Sequence, residues 1–380
     1  MKLAIIRNPL QKIAALVLIF TPLIYAPVLA ATSQTNQPSG QIAFVQYAGK
    51  NGALEKDICM VTIETDDEKC ITNTSDKDEY DPAWSPGGKI LAYQVADLPL
   101  GDGKTETHLY DLEQNQVTVL PTNWFIYSWS PDGTRFTATD DYSGRGFTEI
   151  LAVTFGTYQV DRLTNNDVAD LQPEWSPDGR KITYLSGFPD SNLMLMSADG
   201  SNQKQLTNTI KVNNEVKPVW SPDGKQIAFV VNGEPNKMDE NSEIYVINSD
   251  GSNLRQLTKT GGVNLNPQWS PNGKQLVFYG YAAGAFADVS STTSLRTEIF
   301  QINADGSDLK DLTQNTGLDY QPVWSPDGQW IAFASTQKGP GIYIMQPDGA
   351  DVRMVTHQPP FSEGGLEGNN PVWRPEPITP

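Results

Sequence analysis

The chain has 380 residues, 27 basic against 45 acidic, and a formal net charge of −18. That balance argues against nucleic acid and anionic membrane surfaces, whose capture rests on Lys and Arg. It fits basic or cationic partners, or solubility alone, and two Cys with two His supply no clustered metal ligands.

Residues 1–30 read as a secretory leader: Lys2, Arg7 and Lys12 precede an almost wholly apolar run from Ile13 to Leu29, and Val28-Leu29-Ala30 is an acceptable cleavage site. The alternative is a retained anchor, although Pro22 and Pro27 interrupt the run and a span needs about 20 residues. No Cys follows the cleavage site, so a lipid anchor is not expected. Removing the leader's three basic residues leaves 24 basic against 45 acidic, a net charge of −21. Residues 31–40 are polar and turn-rich, a flexible lead-in. Folded structure is expected over 41–380, with no membrane insertion after leader cleavage and a monomeric state.

From there a repeat organises the chain. Trp-Ser-Pro-Asp-Gly begins at Trp129, Trp175, Trp220 and Trp324, with close variants at Trp84 and Trp269 and a worn copy at Trp373. Successive Trp are 45, 46, 45, 49, 55 and 49 residues apart, a propeller-blade period. Pro fixes φ, Asp or Asn closes the turn through its side chain, and Gly takes the left-handed position. Each copy leads into an apolar strand such as Gln226–Val230, a second at Glu243–Asn248, a turn at Ser249-Asp250-Gly251-Ser252, and a closing Arg255-Gln256-Leu257-Thr258. Four short antiparallel strands result. The periodic Trp are read as packing between blades, with ligand stacking as the alternative.

These residues resemble a known family. Pro-x-Trp-Ser-Pro-Asp-Gly, then Ile-Tyr-Val, then Leu-Thr, is similar to the repeat of TolB-like β-propellers across essentially the whole chain after the leader. The resemblance implies a scaffold in the cell envelope. Members of the Tol system carry a separate amino-terminal α/β domain and six blades; here about ten residues precede the first expected strand, and the blade count differs.

Gln41–Tyr47 matches the strand after a Trp motif, and the chain ends on a lone first strand at Trp373. The two incomplete pieces complete each other, predicting an all-β, seven-bladed propeller closed by strands from both termini, which also protects exposed edges. Cys59 and Cys70 fall opposite each other in that composite blade, in the places of Tyr245 and Gln256. In an exported protein they are expected to bridge; two buried thiols are the alternative.

Function is sought on the face carrying the variable loops: 96–106, 232–241, 280–297 and 357–370. Candidate binding residues there are Asp76, Asp78, Asp81, Asp170, Glu215 and Asp319 among the inter-blade acids, with Trp124, Phe125, Tyr127, Tyr281, Phe286, Tyr320 and Phe361 as loop aromatics. The acids are read as a solvated, partner-attracting rim; a Ca²⁺ site is the alternative, and no other cofactor is expected. Catalytic signals are missing: His108 and His357 lie far apart in the repeat order, and no nucleophile elbow or phosphate loop occurs. Oligogalacturonate lyase-like propellers share related repeats but lean on a His-rich metal centre. The expectation is a non-catalytic module that docks an envelope or secreted protein. A carbohydrate-binding or carbohydrate-active propeller using paired carboxylates is the alternative.

Overall fold

The computed structural model describes residues 38–50, 53–97, 105–120, 124–140, 147–188, 190–208, 210, 212–214, 216–233, 241–281, 296–315, 317–356 and 371–376. In the motif turn of Trp175, the Ser176 hydroxyl donates to Asp178 Oδ1 at 2.6 Å and accepts from the Lys181 amide at 2.9 Å, while the Gly179 amide donates to Ser176 O at 2.9 Å. The Ser130–Asp132, Ser221–Asp223 and Ser325–Asp327 turns repeat it at 2.6, 2.7 and 2.5 Å. These hydroxyl contacts hold the carboxyls of Asp132, Asp178 and Asp223 below the usual range. Gly179 has φ +69°, and a Cβ there would sit 3.5 Å from Pro131 of the preceding turn, so successive motif turns pack on one another.

The turns join strands into four-stranded antiparallel sheets, and the protein is an all-β propeller. Sheet I has the order Val372–Trp373, Gln41–Lys50, Ala53–Thr62, Asp67–Cys70, so strands from distant parts of the chain share it. Sheet II follows with Lys77–Trp84, Ile90–Asp97, Thr105–Asp111 and Gln116–Val119. Sheets III to VII occupy residues 125–162, 170–205, 219–256, 263–311 and 319–354. Sheets V and VI are linked by a single parallel bridge, Ser242 to Val263.

Packing explains the Trp period. Each of the hydrophobic clusters among the described residues lies between two consecutive sheets, and each contains one motif Trp. Trp84 packs between sheets I and II, Trp129 between II and III, Trp175 between III and IV. Trp220, Trp269 and Trp324 continue the series, and Trp373 sits with Ile42, Tyr320 and Ala332 between sheets VII and I. The indoles of Trp84, Trp220, Trp269 and Trp324 donate to Val372, Glu174, Val219 and Gln268 carbonyls at 3.2 to 3.3 Å. Every acceptor directly precedes the previous sheet's motif Trp, so one side chain seals two sheets by burial and by a hydrogen bond.

Cys59 and Cys70 are cross-strand partners in sheet I and are disulfide-bonded. The closing Arg255-Gln256-Leu257-Thr258 segment differs from a full strand: only Arg255–Gln256 pairs, Leu257 is buried in the core, and Thr258 turns inward. No helix among the described residues is long and apolar enough to cross a membrane.

Candidate functional site

In sheets I, III, V and VI the Thr that follows the outer strand is a latch. Thr164 Oγ1 accepts from the Ile150 amide at 2.9 Å and donates to Glu149 Oε2 at 2.8 Å. Glu149 Oε1 also accepts from the Asn166 amide at 3.0 Å, and Asn166 Nδ2 donates to Asp170 Oδ2 at 2.7 Å. The same arrangement recurs at Glu298, Thr313, Asn315 and Asp319, and at Glu243, Thr258 and Asn264. Between sheets I and II it uses Asp57, Thr72, Thr74 and Glu79. A carboxylate of a third strand thus ties down the loop leading to the next sheet.

Electrostatics follow burial. Glu79, Asp170 and Asp319 are fully enclosed. Desolvation pushes the Glu79 carboxyl up to about 7, opposed by the Thr74 hydroxyl and reinforced by Asp57. Asp170, Asp319 and Glu298 are raised for the same leading reason. The expected solvated rim is therefore corrected at Asp170 and Asp319: these acids are internal struts, because each begins a first strand and stands opposite a residue of the second, Ser186 or Ser335.

A second set of polar residues faces the axis. In four of the Pro-x-Trp segments the residue before the Pro sits at a β-bulge, and Asp81, Gln172, Asn266 and Gln321 all have φ between 50° and 57°. Pre-proline residues favour extended backbone, so four strained non-glycine positions lie in register. Lys217 at the equivalent place in sheet V reaches the Tyr127 carbonyl of sheet III at 3.3 Å, past sheet IV. Asn266 Nδ2 donates to Gln321 Oε1 at 2.5 Å. First strands must converge on a shared axis for such contacts. Lys217 also pairs with Glu174 at 2.8 Å. Desolvation raises the Glu174 carboxyl, with the Lys217 charge opposing. Both border a cleft of about 330 Å³ lined by Trp175, Trp220, Trp269 and Gln268. Among the described residues no group of three or more His, Cys, Asp or Glu is arranged to hold a metal.

The structure brings Asp81 and Tyr127 together at this axis: the Asp81 charge helps raise the Tyr127 phenol, after burial. Phe125, ring against Tyr127 at 4.6 Å, is half-buried beside it. Asp81 itself is raised by desolvation, opposed by Lys56. Asp78 accepts from the Lys56 amide at 3.1 Å, and Asp76 is exposed. Trp124 and Tyr320 are corrected: both are core residues, Trp124 edge-on to Phe136 between sheets II and III and Tyr320 between VII and I. They stand at the start of a first strand, where the ring packs against the neighbouring sheet. Tyr281 ends a strand, half-buried. Glu215, Phe286, Phe361 and His357 lie outside the described residues, as do 282–295 and 357–370.

Two apolar side chains stand out on the loop face. Phe188, in the loop between the second and third strands of sheet IV, is 68% exposed, and Val168, in the loop entering that sheet, is 42% exposed. The Gly187 amide donates to Ala169 O at 2.9 Å and joins the two loops. Sequence reading passed over Phe188 because its loop is short and carries no insertion.

Comparison with known proteins adds context. An uncharacterized protein of Agrobacterium fabrum is 27% identical over 294 residues, covering 75% of this chain and 94% of that protein. The Tol-Pal system protein TolB of Desulfosudis oleivorans is 40% identical over 55 residues, only 14% of this chain and 13% of that protein. The crystal structure of an oligogalacturonate lyase from Vibrio parahaemolyticus superposes with a TM-score of 0.59 at 14% identity, covering 81% of this chain and 91% of that one. That likeness is one of fold alone. The TolB beta propeller domain family matches residues 26–215, half of the chain, and the chain belongs to that family.

Proposed function

We propose that this protein is an exported, non-catalytic seven-bladed propeller that docks another envelope or secreted protein through the face built by its inter-sheet and second-to-third-strand loops. The carrying observation is Phe188: a large apolar side chain, 68% exposed, held on a loop tied by a backbone hydrogen bond to the Val168 loop. Binding energy concentrates in such rigid apolar anchors. The latches support the same reading, because they preorganise the loops and so lower the entropic cost of binding. Two of the candidate acids, Asp170 and Asp319, are engaged in holding the scaffold. The leader-like residues 1–30 and the family relationship to TolB fit a cell-envelope location.

The test is a pull-down from envelope extract with the protein and its Phe188→Ser variant. A protein captured by the parent and lost with the variant supports docking on this face. Capture that is equal with both contradicts it. A second reading, a carbohydrate-binding or carbohydrate-active propeller, draws on the axial cleft with Glu174, Lys217 and three Trp. Stabilisation by sugars on a glycan panel, lost in Glu174→Gln, would favour it instead.

A further inference from the structure

The outermost strand of each sheet exposes one unpaired row of backbone groups, a template for a foreign strand, and charged side chains are the usual guard. Six of the seven outer strands among the described residues follow that rule. They carry Lys69 in sheet I, Arg162 in III, Lys204 in IV, Arg255 in V, Lys310 in VI and Arg353 in VII. Sheet II does not. Its outer strand is Gln116-Val117-Thr118-Val119, four uncharged residues, all exposed, with Val117 at 47% and Val119 at 49%.

This strand is also long for its class. It pairs over four positions with Thr105–Asp111, whereas the outer strands of sheets IV to VII have two residues each. Three of its four residues are β-branched, which suits an extended, half-covered edge. Val119 stands opposite His108 and Val117 opposite Tyr110, so the exposed Val extend an apolar row that runs inward to Tyr93 and Leu91. A strand added here would meet backbone donors and acceptors together with that row.

Neighbouring charge indicates the occupant. Glu113, beyond one end of the strand, shares its carboxylate with Lys89 at 2.9 Å, and both side chains are more than half exposed. Asp111 closes the preceding turn, accepting from the Glu113 and Gln114 amides. Glu106, towards the other end, contacts His108 at 3.1 Å. Acidic groups therefore bracket an uncharged edge on a chain of net charge −18. A second copy of this chain would bring the same acids, and a four-residue edge falls far short of the roughly 1,200 Å² that stable interfaces bury.

We propose that the outer edge of sheet II is a strand-addition site for an extended peptide segment with alternating β-branched residues and basic flanks. Main-chain hydrogen bonds would give affinity, and the Val row with the flanking acids would give preference. This surface is separate from the loop face, and the proposal stands whether or not that face docks a protein.

The probe is a synthetic peptide, Lys-Thr-Val-Thr-Val-Thr-Val-Thr-Lys, titrated into the protein by fluorescence anisotropy, with amide hydrogen exchange read residue by residue. The expected result is saturable binding with at least tenfold slower exchange within 116–119. Val117→Lys with Val119→Lys should weaken binding at least tenfold. Val160→Lys on the sheet III edge should leave it unchanged, and both variants should keep the parent's thermal midpoint within a few degrees. Replacing the peptide's Lys by Glu should also weaken binding. No saturable binding, protection confined to other residues, or equal binding by the double Lys variant would overturn the proposal. So would light scattering that shows a dimer of the protein dispersed by Val117→Lys and Val119→Lys, since the occupant would then be a second copy.

Discussion

Glu79→Gln isolates the energetic consequence of a buried latch carboxyl. Glu79 is 2% exposed; Oε1 accepts from the Thr74 hydroxyl at 2.9 Å, and Oε2 is buried with no hydrogen-bond partner. Its carboxyl is pushed from 4.5 up to about 7, burial being the largest cause. A raised acid pKa means that the folded state prefers the protonated form. Its contribution to stability is fully present below 4.5 and is lost as pH rises through about 7. Between pH 5 and 8 the loss from this one group amounts to about 2 to 3 kcal/mol, since each tenfold change in proton affinity is worth about 1.4 kcal/mol. Gln cannot ionise, so the variant should lack that component. The assay is urea unfolding of parent and variant at pH 5, 6, 7 and 8. The parent's stability should fall relative to the variant's by about 2 to 3 kcal/mol across the range. Asp170, Asp319 and Glu298 titrate in the same direction in both proteins and cancel in the difference. Parallel pH profiles for the two proteins would refute the burial argument.

Thr164→Val removes the hydroxyl that serves both the Ile150 amide and Glu149 Oε2; losing both bonds should cost about 2 to 4 kcal/mol, seen in the denaturant midpoint. Trp269→Ala opens the interface between sheets V and VI and abandons the bond to Val219 O, an expected loss of about 3 to 5 kcal/mol. Trp269→Phe should cost less, since much of the buried ring is kept. Replacing Cys59 and Cys70 by Ala frees a segment of 11 residues' separation, and the chain-entropy model gives a loss of about 2 to 3 kcal/mol by thermal unfolding under non-reducing conditions.

The Trp period made the sheet interfaces legible, because a large apolar residue at a fixed turn can be buried in only one kind of place. The pairing of Val372–Trp373 with Gln41–Lys50 was legible too, since each end of the chain carried the strand the other lacked. The latches were less visible. Each Thr lies 15 residues after its acid, at 57 and 72, 149 and 164, 243 and 258, and 298 and 313, a spacing that the sequence shows once it is sought. Reading Asp170 and Asp319 as a rim failed because a loop acid is ordinarily solvated, whereas both are the first residues of paired strands and are buried there. Trp124 and Tyr320 misled for a different reason: both were read as loop aromatics, whereas Trp124 directly precedes a first strand and Tyr320 lies within one, and both rings enter inter-sheet cores. Lys217 and Glu174 escaped notice because their meeting depends on strands from separate sheets converging at the axis.

The most direct test of the docking account is site-specific photo-crosslinking in the cell envelope. A photoreactive phenylalanine replaces Phe188 on the loop face or Lys225 beside a motif turn, where the side chain is largely exposed. The account predicts a discrete protein adduct from position 188 and none from position 225. Adducts from 225 alone, or from neither position in cells that express the protein at its natural level, would contradict it.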